Sequence, residues 1–353
     1  MLLAVHGLML AGAWAHAQPV AVLRMQSIGY SEPIAFKQFV DKWRPATFRG
    51  GTTALAHSRV ELGFERGPWY FSVSEQDHAT AVFSNDTAEF YLLTKNKQAL
   101  DPTKTYNIDL RYNRATFLAL RGVYRFSRRH WSGYAGISTL FGQSFTSGRL
   151  HGQVTPQSDR NYDFGKVYLN YHYSDDELFE RRVAHPLGVG LGLDAGLRWQ
   201  WRQRLSLQAD IENAPAYMVW VNAPATRARI DTDNKSFDDN GYVDVKPALS
   251  GRHTKSHFSQ ALPVMLRLAS DLRFDWFHQV NRVFYTRAMP FYYAGFGVGP
   301  QDWRVNALYE IQTHAYRFAW EHRYLTFELI ADHDSIGKLK HFGLQCVLKI
   351  PFN

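Results

Sequence analysis

The sequence predicts an all-β fold, a transmembrane antiparallel β-barrel of about 14 strands within a range of about 12 to 16. The first observation is the stretch from Leu187 to Trp201, where apolar residues alternate with glycines and with polar or charged residues. Alternate side chains of a strand point to opposite faces, so this strand has one wholly apolar face. The pattern returns along most of the chain. A soluble β-sandwich would show the same alternation, so other features must decide the class.

Composition favours the barrel. Aromatic residues make up 15% of the chain, although the mean hydropathy is only −0.34. Aromatic girdles around a polar interior produce this combination. The apolar faces of such a barrel contact lipid, so we expect a bacterial outer-membrane protein surrounded by outer-membrane lipid and lipopolysaccharide.

The N-terminus predicts export. Residues 2–14 are apolar, and Ala15-His16-Ala17 forms the small-x-small pattern that signal peptidase accepts. Residues 1–17 are therefore predicted to be a signal peptide, although no Lys or Arg precedes the apolar core. A buried N-terminal helix is the alternative.

Residues 18–57 lack clear strand alternation and are predicted to form an N-terminal plug or periplasmic segment. Residues 34–43 have the spacing of a short amphipathic helix, with five bulky apolar side chains in ten residues. Such a helix would suit a plug inside the barrel. A disordered periplasmic tail is the alternative.

Residues 58–353 are predicted to form the barrel, interrupted by a long polar loop at about 222–260. Within it, residues 231–241 are rich in oxygen-bearing side chains, the ligands that calcium prefers. Lys235 stands where an EF-hand needs an oxygen ligand, so a solvated loop is favoured over a metal site. No metal and no cofactor is predicted.

The C-terminus also predicts a barrel. Apolar residues alternate from Phe342 to Phe352, with Asn353 after the last aromatic. A final strand ending in an aromatic resembles the signal that the bacterial barrel-assembly machinery recognises, which makes that machinery a predicted partner. Cys346 is the one cysteine of the chain, so no intrachain disulfide forms. It belongs to the apolar row and is predicted to face lipid.

Charged residues of both signs lie on the polar faces of the strands. The net charge is +8, but the basic residues are spread through the strands, which argues against nucleic-acid binding. Interleaved signs predict a lumen crossed by ion pairs. The predicted lumen-lining residues are Asp109, Arg111, Arg121, Arg125, Asp194, Arg198, Asp210, Arg267 and Asp271.

Three stretches resemble the long-chain fatty-acid transporter superfamily of outer-membrane barrels, which includes TraF-like conjugation-associated proteins. They are residues 190–197, residues 207–213, and Leu262-Pro263 leading into residues 267–270. The resemblance covers about residues 187 to 277 and implies a 14-stranded barrel with an N-terminal hatch. The hatch motif of that superfamily is not recognisable here.

The sequence favours a channel or transporter for a small solute, including hydrophobic solutes. A structural barrel that anchors an envelope or secretion apparatus is the first alternative, because pores and anchors use the same strands. An outer-membrane lipid hydrolase or protease is the second. Asp332-His333-Asp334 and Glu321-His322 bring acids next to histidines, but neighbouring residues of a strand point to opposite faces. The protein is therefore predicted not to be an enzyme.

Overall fold

The computed structural model is a closed antiparallel β-barrel. It describes residues 18–352 except 41–47, 49, 159–160, 203, 232–234, 238–242, 246–248 and 301. The predicted signal peptide lies outside the described residues.

The chain forms nineteen strands, two α-helices and one 3-10 helix in its described part. The helices are α1 (Phe36–Val40) and α2 (Asn85–Lys95), and the 3-10 turn is Ile336–Lys338. Neither α-helix in the described part of the chain is long and apolar enough to cross a membrane. The strands are β1 (Val20–Ser31), β2 (Thr53–Arg66), β3 (Trp69–Phe83), β4 (Tyr106–Arg128), β5 (Trp131–Ser158), β6 (Asn161–Tyr173), β7 (Leu187–Trp201), β8 (Leu205–Glu212), β9 (Ala216–Ile230), β10 (Lys235–Phe237), β11 (Val243–Val245), β12 (Leu249–Ala261), β13 (Met265–Arg273), β14 (Phe277–Thr286), β15 (Pro290–Val298), β16 (Trp303–Glu310), β17 (Tyr316–His322), β18 (Leu325–Ala331) and β19 (His341–Pro351).

Strand β1 closes the barrel, because it pairs with β2 on one side and with β19 on the other. The prediction that residues 18–57 form a plug or periplasmic segment is therefore wrong for β1 and for the start of β2. The alternation of β1 is weak in the sequence because Val22 and Ile28 point inward while Ser27 and Gly29 point outward. Helix α1 lies within the predicted helix, and Phe36 packs edge-on against Phe342.

The barrel sheet contains 17 strand segments among the described residues, more than the predicted count. Strand β5 pairs with β6 along its second half and with β7 along its first half. Segments β8 and β9 follow one another along β7 and β6, and β13 and β12 follow along β8 and β9. The pairs β6 and β7, β8 and β9, and β12 and β13 therefore each occupy a single position around the barrel. Each pair adds a segment without widening the barrel, and the sequence pattern does not reveal where these strands are interrupted.

The two ends of the barrel differ. Short turns at residues 67–68, 129–130 and 323–324 lie at one end, which we call the turn end. Longer connections at residues 32–52, 84–105 and 332–340 lie at the other, the loop end. The polar loop predicted at about 222–260 is shorter than expected, because β9 continues to Ile230 and β12 begins at Leu249. Both strands are polar there, so their pattern resembles that of a loop. The candidate calcium stretch at 231–241 falls mostly outside the described residues.

The outside of the barrel carries an apolar belt. The outward side chains of β7 are exposed, with Leu193 at 44%, while Gly188 and Asp194 point inward. Cys346 points outward in the row of Leu344 and Ile350. Tryptophans near the turn end form an aromatic girdle, as is typical of a transmembrane barrel. They are Trp69, Trp131, Trp199, Trp201, Trp276, Trp303 and Trp320.

One side of the barrel is much taller than the other. Strand β5 has 28 residues, whereas β17 and β18 have 7 each. The loop-end parts of β4, β5, β6, β9 and β12 form a five-stranded sheet that we call the outer extension. Helix α2 and residues 174–186 cover its outward face: Phe90 packs against Tyr106, and Asp176 accepts a hydrogen bond from Tyr171 at 2.6 Å. Burial opposes ionisation of Asp176, but bonds from Tyr171 and Arg181 hold its pKa below the usual range.

Candidate functional site: the barrel lumen

Glycines occupy four inward positions of β7, at residues 188, 190, 192 and 196. The ring of Trp220, on the neighbouring strand β9, packs over Gly188 and stacks on Phe145 with 4.2 Å between ring centroids. A Cβ atom on Gly188 would lie 2.6 Å from the Trp220 ring, and a Cβ atom on Gly142 would clash with the same ring. The glycines that alternate along β7 therefore make room for a large aromatic side chain inside the barrel.

Two apolar clusters occupy the inside of the barrel towards the loop end. The first cluster joins inward side chains of β1, β2, β13 to β16 and β18 to Ala315, which precedes β17: Ile28, Tyr30, Leu55, Met265, Val280, Phe284, Phe291, Tyr293, Leu308, Ala315 and Ile330. The second cluster lies on the opposite wall and includes Ala115, Phe117, Ala119, Leu140, Phe145, Ala216, Met218, Trp220, Ala223 and Leu262. An aqueous pore has a polar lining, whereas these two clusters make much of the loop-end half of the lumen apolar.

A layer of buried charges, which we call the ion layer, crosses the middle of the lumen. Glu61 is fully buried, contacts Arg59, accepts a hydrogen bond from the Tyr70 hydroxyl at 2.5 Å, and lies 3.5 Å from Arg24. Glu212 extends the layer, at 3.7 Å from Arg59 and 2.7 Å from Arg267.

The ion layer continues to the opposite wall. Arg121 donates to Asp194 at 2.7 Å, and Asp194 also accepts from the backbone N–H of Asn213 at 3.0 Å. Two buried histidines border the layer, since the His57 ring lies 4.1 Å from His78, which stacks on Phe117. Paired charges and packed rings therefore fill the middle of the lumen.

A mainly polar cavity of about 650 Å³ extends from the ion layer towards the turn end, and Ile28, Phe284, Tyr293 and Ile330 of the first apolar cluster also border it. Nine basic and five acidic side chains line it. Several of them pair across neighbouring strands: Arg282 with Asp271 at 2.8 Å, Arg304 with Glu321 at 2.8 Å, and Arg317 with Glu328 at 2.6 Å. The pairing makes this chamber hydrophilic while offsetting much of its positive charge.

The structure places all nine predicted lumen residues on inward faces, in three groups. Arg121, Asp194 and Arg267 belong to the ion layer. Asp109 and Arg111 lie in the outer extension, where Asp109 accepts two hydrogen bonds from Arg149. The remaining four, Arg125, Arg198, Asp210 and Asp271, line the cavity. Their part in moving a solute stays a prediction.

Sequence reasoning missed central members of the site. Arg24 belongs to the segment that the sequence predicts to be a plug or periplasmic segment, but it lies in β1 and faces Glu61. Arg59 was also missed, although its alternation with Val60 and Leu62 was a usable signal. The inward aromatic residues carry no such signal within their own strands, because an apolar residue on the polar row of a strand looks like a break in the pattern.

The two sequence pairs considered for catalysis do not form a nucleophile site in the part of the chain that the structure describes. His333 lies 2.5 Å from Asp334, but Asp334 is 92% exposed, and Asp332 instead accepts from the backbone of Lys340. Glu321 pairs with Arg304. No group of three or more His, Cys, Asp or Glu side chains is placed to hold a metal ion among the described residues.

Solved structures with a similar course of the chain include transporters. No protein-family model matches the sequence, and no curated protein matches it. The Pseudomonas putida toluene transporter TodX is 10% identical, with a TM-score of 0.41, over 94% of this chain and 88% of that chain. The Ralstonia pickettii toluene transporter TbuX is 8% identical, with a TM-score of 0.33, over 96% and 90%. The monoaromatic hydrocarbon channel CymD is 10% identical, with a TM-score of 0.25, over 99% and 93%. At such TM-scores the likeness carries no argument about function.

Proposed function

We propose that the protein is a channel of the bacterial outer membrane for a small hydrophobic solute. The observation that carries the proposal is the pair of apolar clusters inside the loop-end half of the lumen. Phe284 stacks on Phe291 within the first cluster and also borders the lumen cavity, so it offers an apolar solute a surface that water and ions do not favour. In outer-membrane barrels the longer loops face outside, so a solute that enters the lumen from outside meets these clusters before it meets the ion layer.

The ion layer supports a gated path instead of a permanently water-filled one. Glu61 and Arg59 are buried and contact each other, and Glu212 bridges Arg59 and Arg267. Ile28 and Phe284 of the first cluster border the cavity of about 650 Å³ beside Arg24 and Glu212 of the ion layer. A solute therefore moves from the cluster into the cavity when these side chains rearrange. Pockets of roughly 300–1,000 Å³ hold small molecules, so the cavity is large enough to receive one.

Membership of the long-chain fatty-acid transporter superfamily is part of the same proposal. It rests on the resemblance of residues 190–197 and 207–213 to that superfamily's strand pairs. The implied N-terminal hatch does not occupy residues 20–31, which form a wall strand. Strand side chains of the ion layer, such as Glu61 and Arg59, take the place of that hatch in the lumen.

Uptake of toluene tests the proposal. Cells that express the protein in their outer membrane are expected to accumulate labelled toluene several-fold faster than cells without it. Phe291 is 0% exposed and points inward, so Phe291→Asn is expected to slow uptake, while Phe291→Leu keeps the apolar surface and the rate. Uptake that is equal with and without the protein, at equal outer-membrane levels, would refute the channel.

Ion conductance distinguishes the gated channel from an open pore. In planar bilayers the wild-type barrel is expected to show no steady ion conductance, because the ion layer and its hydrogen bonds fill the middle of the lumen. A large constant conductance would contradict a closed ion layer. Absence of both conductance and toluene uptake would favour the structural barrel, which the buried charge pairs would also suit.

A further inference from the structure

A straight row of basic side chains crosses the outer extension. Arg111 on β4 is paired with Arg149 on β5, which is paired with Asn170 on β6. Asn170 is paired with Arg227 on β9, and Arg227 with Arg252 on β12. Neighbouring strands lie about 4.8 Å apart, so the row is roughly 19 Å long. We call these five residues the arginine row.

The arginine row faces the inside of the barrel mouth. His172, two residues from Asn170 on the same strand face, stacks on Phe258 at 4.2 Å. Phe258 in turn stacks on Phe145 of the second apolar cluster, inside the lumen. All five side chains of the row are exposed. They therefore line a concave, water-filled vestibule.

Like charges directly opposite one another destabilise a sheet, yet this row places arginines opposite each other on β4 and β5 and again on β9 and β12. Among the described residues, Asp109 is the acid that pairs with the row, and it binds Arg149. Arg111, Arg227 and Arg252 have no acidic partner in the described part of the chain. The planar guanidinium binds phosphate or carboxylate oxygens in a bidentate manner, so a row of arginines matches an anion with several such groups.

We propose that the arginine row binds a soluble multivalent oxyanion that carries phosphate or carboxylate groups. The headgroups of the surrounding membrane do not reach this site, because the row lies on the lumen side of the sheet, on the face that carries His172 and Phe258. The ligand must therefore enter the vestibule from the external solution. The site is separate from the apolar clusters, so it stands or falls independently of the hydrophobic-solute channel.

Titration calorimetry on the detergent-solubilised full chain tests this proposal, with sodium tripolyphosphate and sodium citrate as probes. Wild type is expected to bind at least one of them, and the tighter one assigns phosphate or carboxylate chemistry. Arg227→Gln and Arg111→Gln are each expected to weaken binding about tenfold, since each removes a charge-assisted hydrogen-bonding group. Arg227→Lys, which keeps the charge, is expected to weaken it less.

Arg128→Gln is the matched control, because Arg128 is an exposed arginine at the turn end of the same strand as Arg111. Its binding is expected to equal that of wild type. Absence of binding by wild type, equal binding by wild type and Arg227→Gln, or an equal loss in Arg128→Gln would each overturn the proposal. A free energy of unfolding of Arg227→Gln no lower than that of wild type, measured by denaturant titration, would show that the variant barrel is intact.

Discussion

Replacing Glu61 by alanine is expected to lower the free energy of unfolding by about 3–5 kcal/mol. Glu61 is fully buried and contacts Arg59, Tyr70 and Arg24. Its removal leaves the buried Arg59 guanidinium facing Arg24 with only the more distant Glu212 carboxylate to compensate it. Removing one partner of a buried pair is costly because the remaining charge stays out of water. Denaturant titration of the barrel refolded into detergent micelles measures the change.

Asp109→Ala provides the matched control for the ion layer. Asp109 also accepts from an arginine, but its side chain is 44% exposed and that of Arg149 is 46% exposed. Exposed pairs contribute only about 0–1 kcal/mol, so this variant is expected to be nearly as stable as wild type. Equal, small losses in both variants would mean that the ion layer is hydrated and that the lumen is open at its middle.

Much of the fold follows from the sequence where the two faces of a strand differ in polarity. In β7 outward apolar residues alternate without interruption with inward glycines and polar residues, so both the strand and its orientation are predictable. In β1 the inward Val22 and the outward Ser27 reverse the expected polarity. That strand became recognisable only through its pairing with β2 and β19.

The sequence predicts which charged residues of the candidate site face inward, but it does not predict which of them form ion pairs with one another. The sequence indicates that Arg121 and Asp194 both face inward, yet they come from strands separated by β5. Their 2.7 Å contact depends on the curvature of the closed barrel, which a strand pattern does not contain. The arginine row likewise depends on register, and register between distant segments such as β6 and β9 is set by the whole sheet.

The apolar clusters were not predictable for a different reason. A polar lumen is the usual expectation for an outer-membrane barrel, and it makes inward residues such as Phe117 and Trp220 look like irregularities. The structure shows that they belong to a packed cluster, because the Trp220 ring contacts Gly188 and stacks on Phe145. Glycines on the polar row of β7 were the available signal, because a strand that needs no side chain there leaves room for a neighbour's ring.

Replacing Leu193 by arginine is expected to destabilise the barrel by about 2–4 kcal/mol, because Leu193 points into lipid near the middle of β7. A charge at that depth loses its water, and Ile137, which lies opposite Leu193 on β5, offers no polar partner on the outward face. Refolding titrations in lipid vesicles measure the loss.

Gln200→Arg in the same strand is the control, because Gln200 belongs to the inward row and is exposed near the turn end. An arginine there reaches water and the polar cavity, so we expect a change within about 1 kcal/mol of wild type. Equal destabilisation at both positions would mean that β7 does not present its leucines to lipid. The inward assignment of Gly188, Asp194 and Arg198 depends on the same alternation, so that result would also remove the basis for the lumen described here.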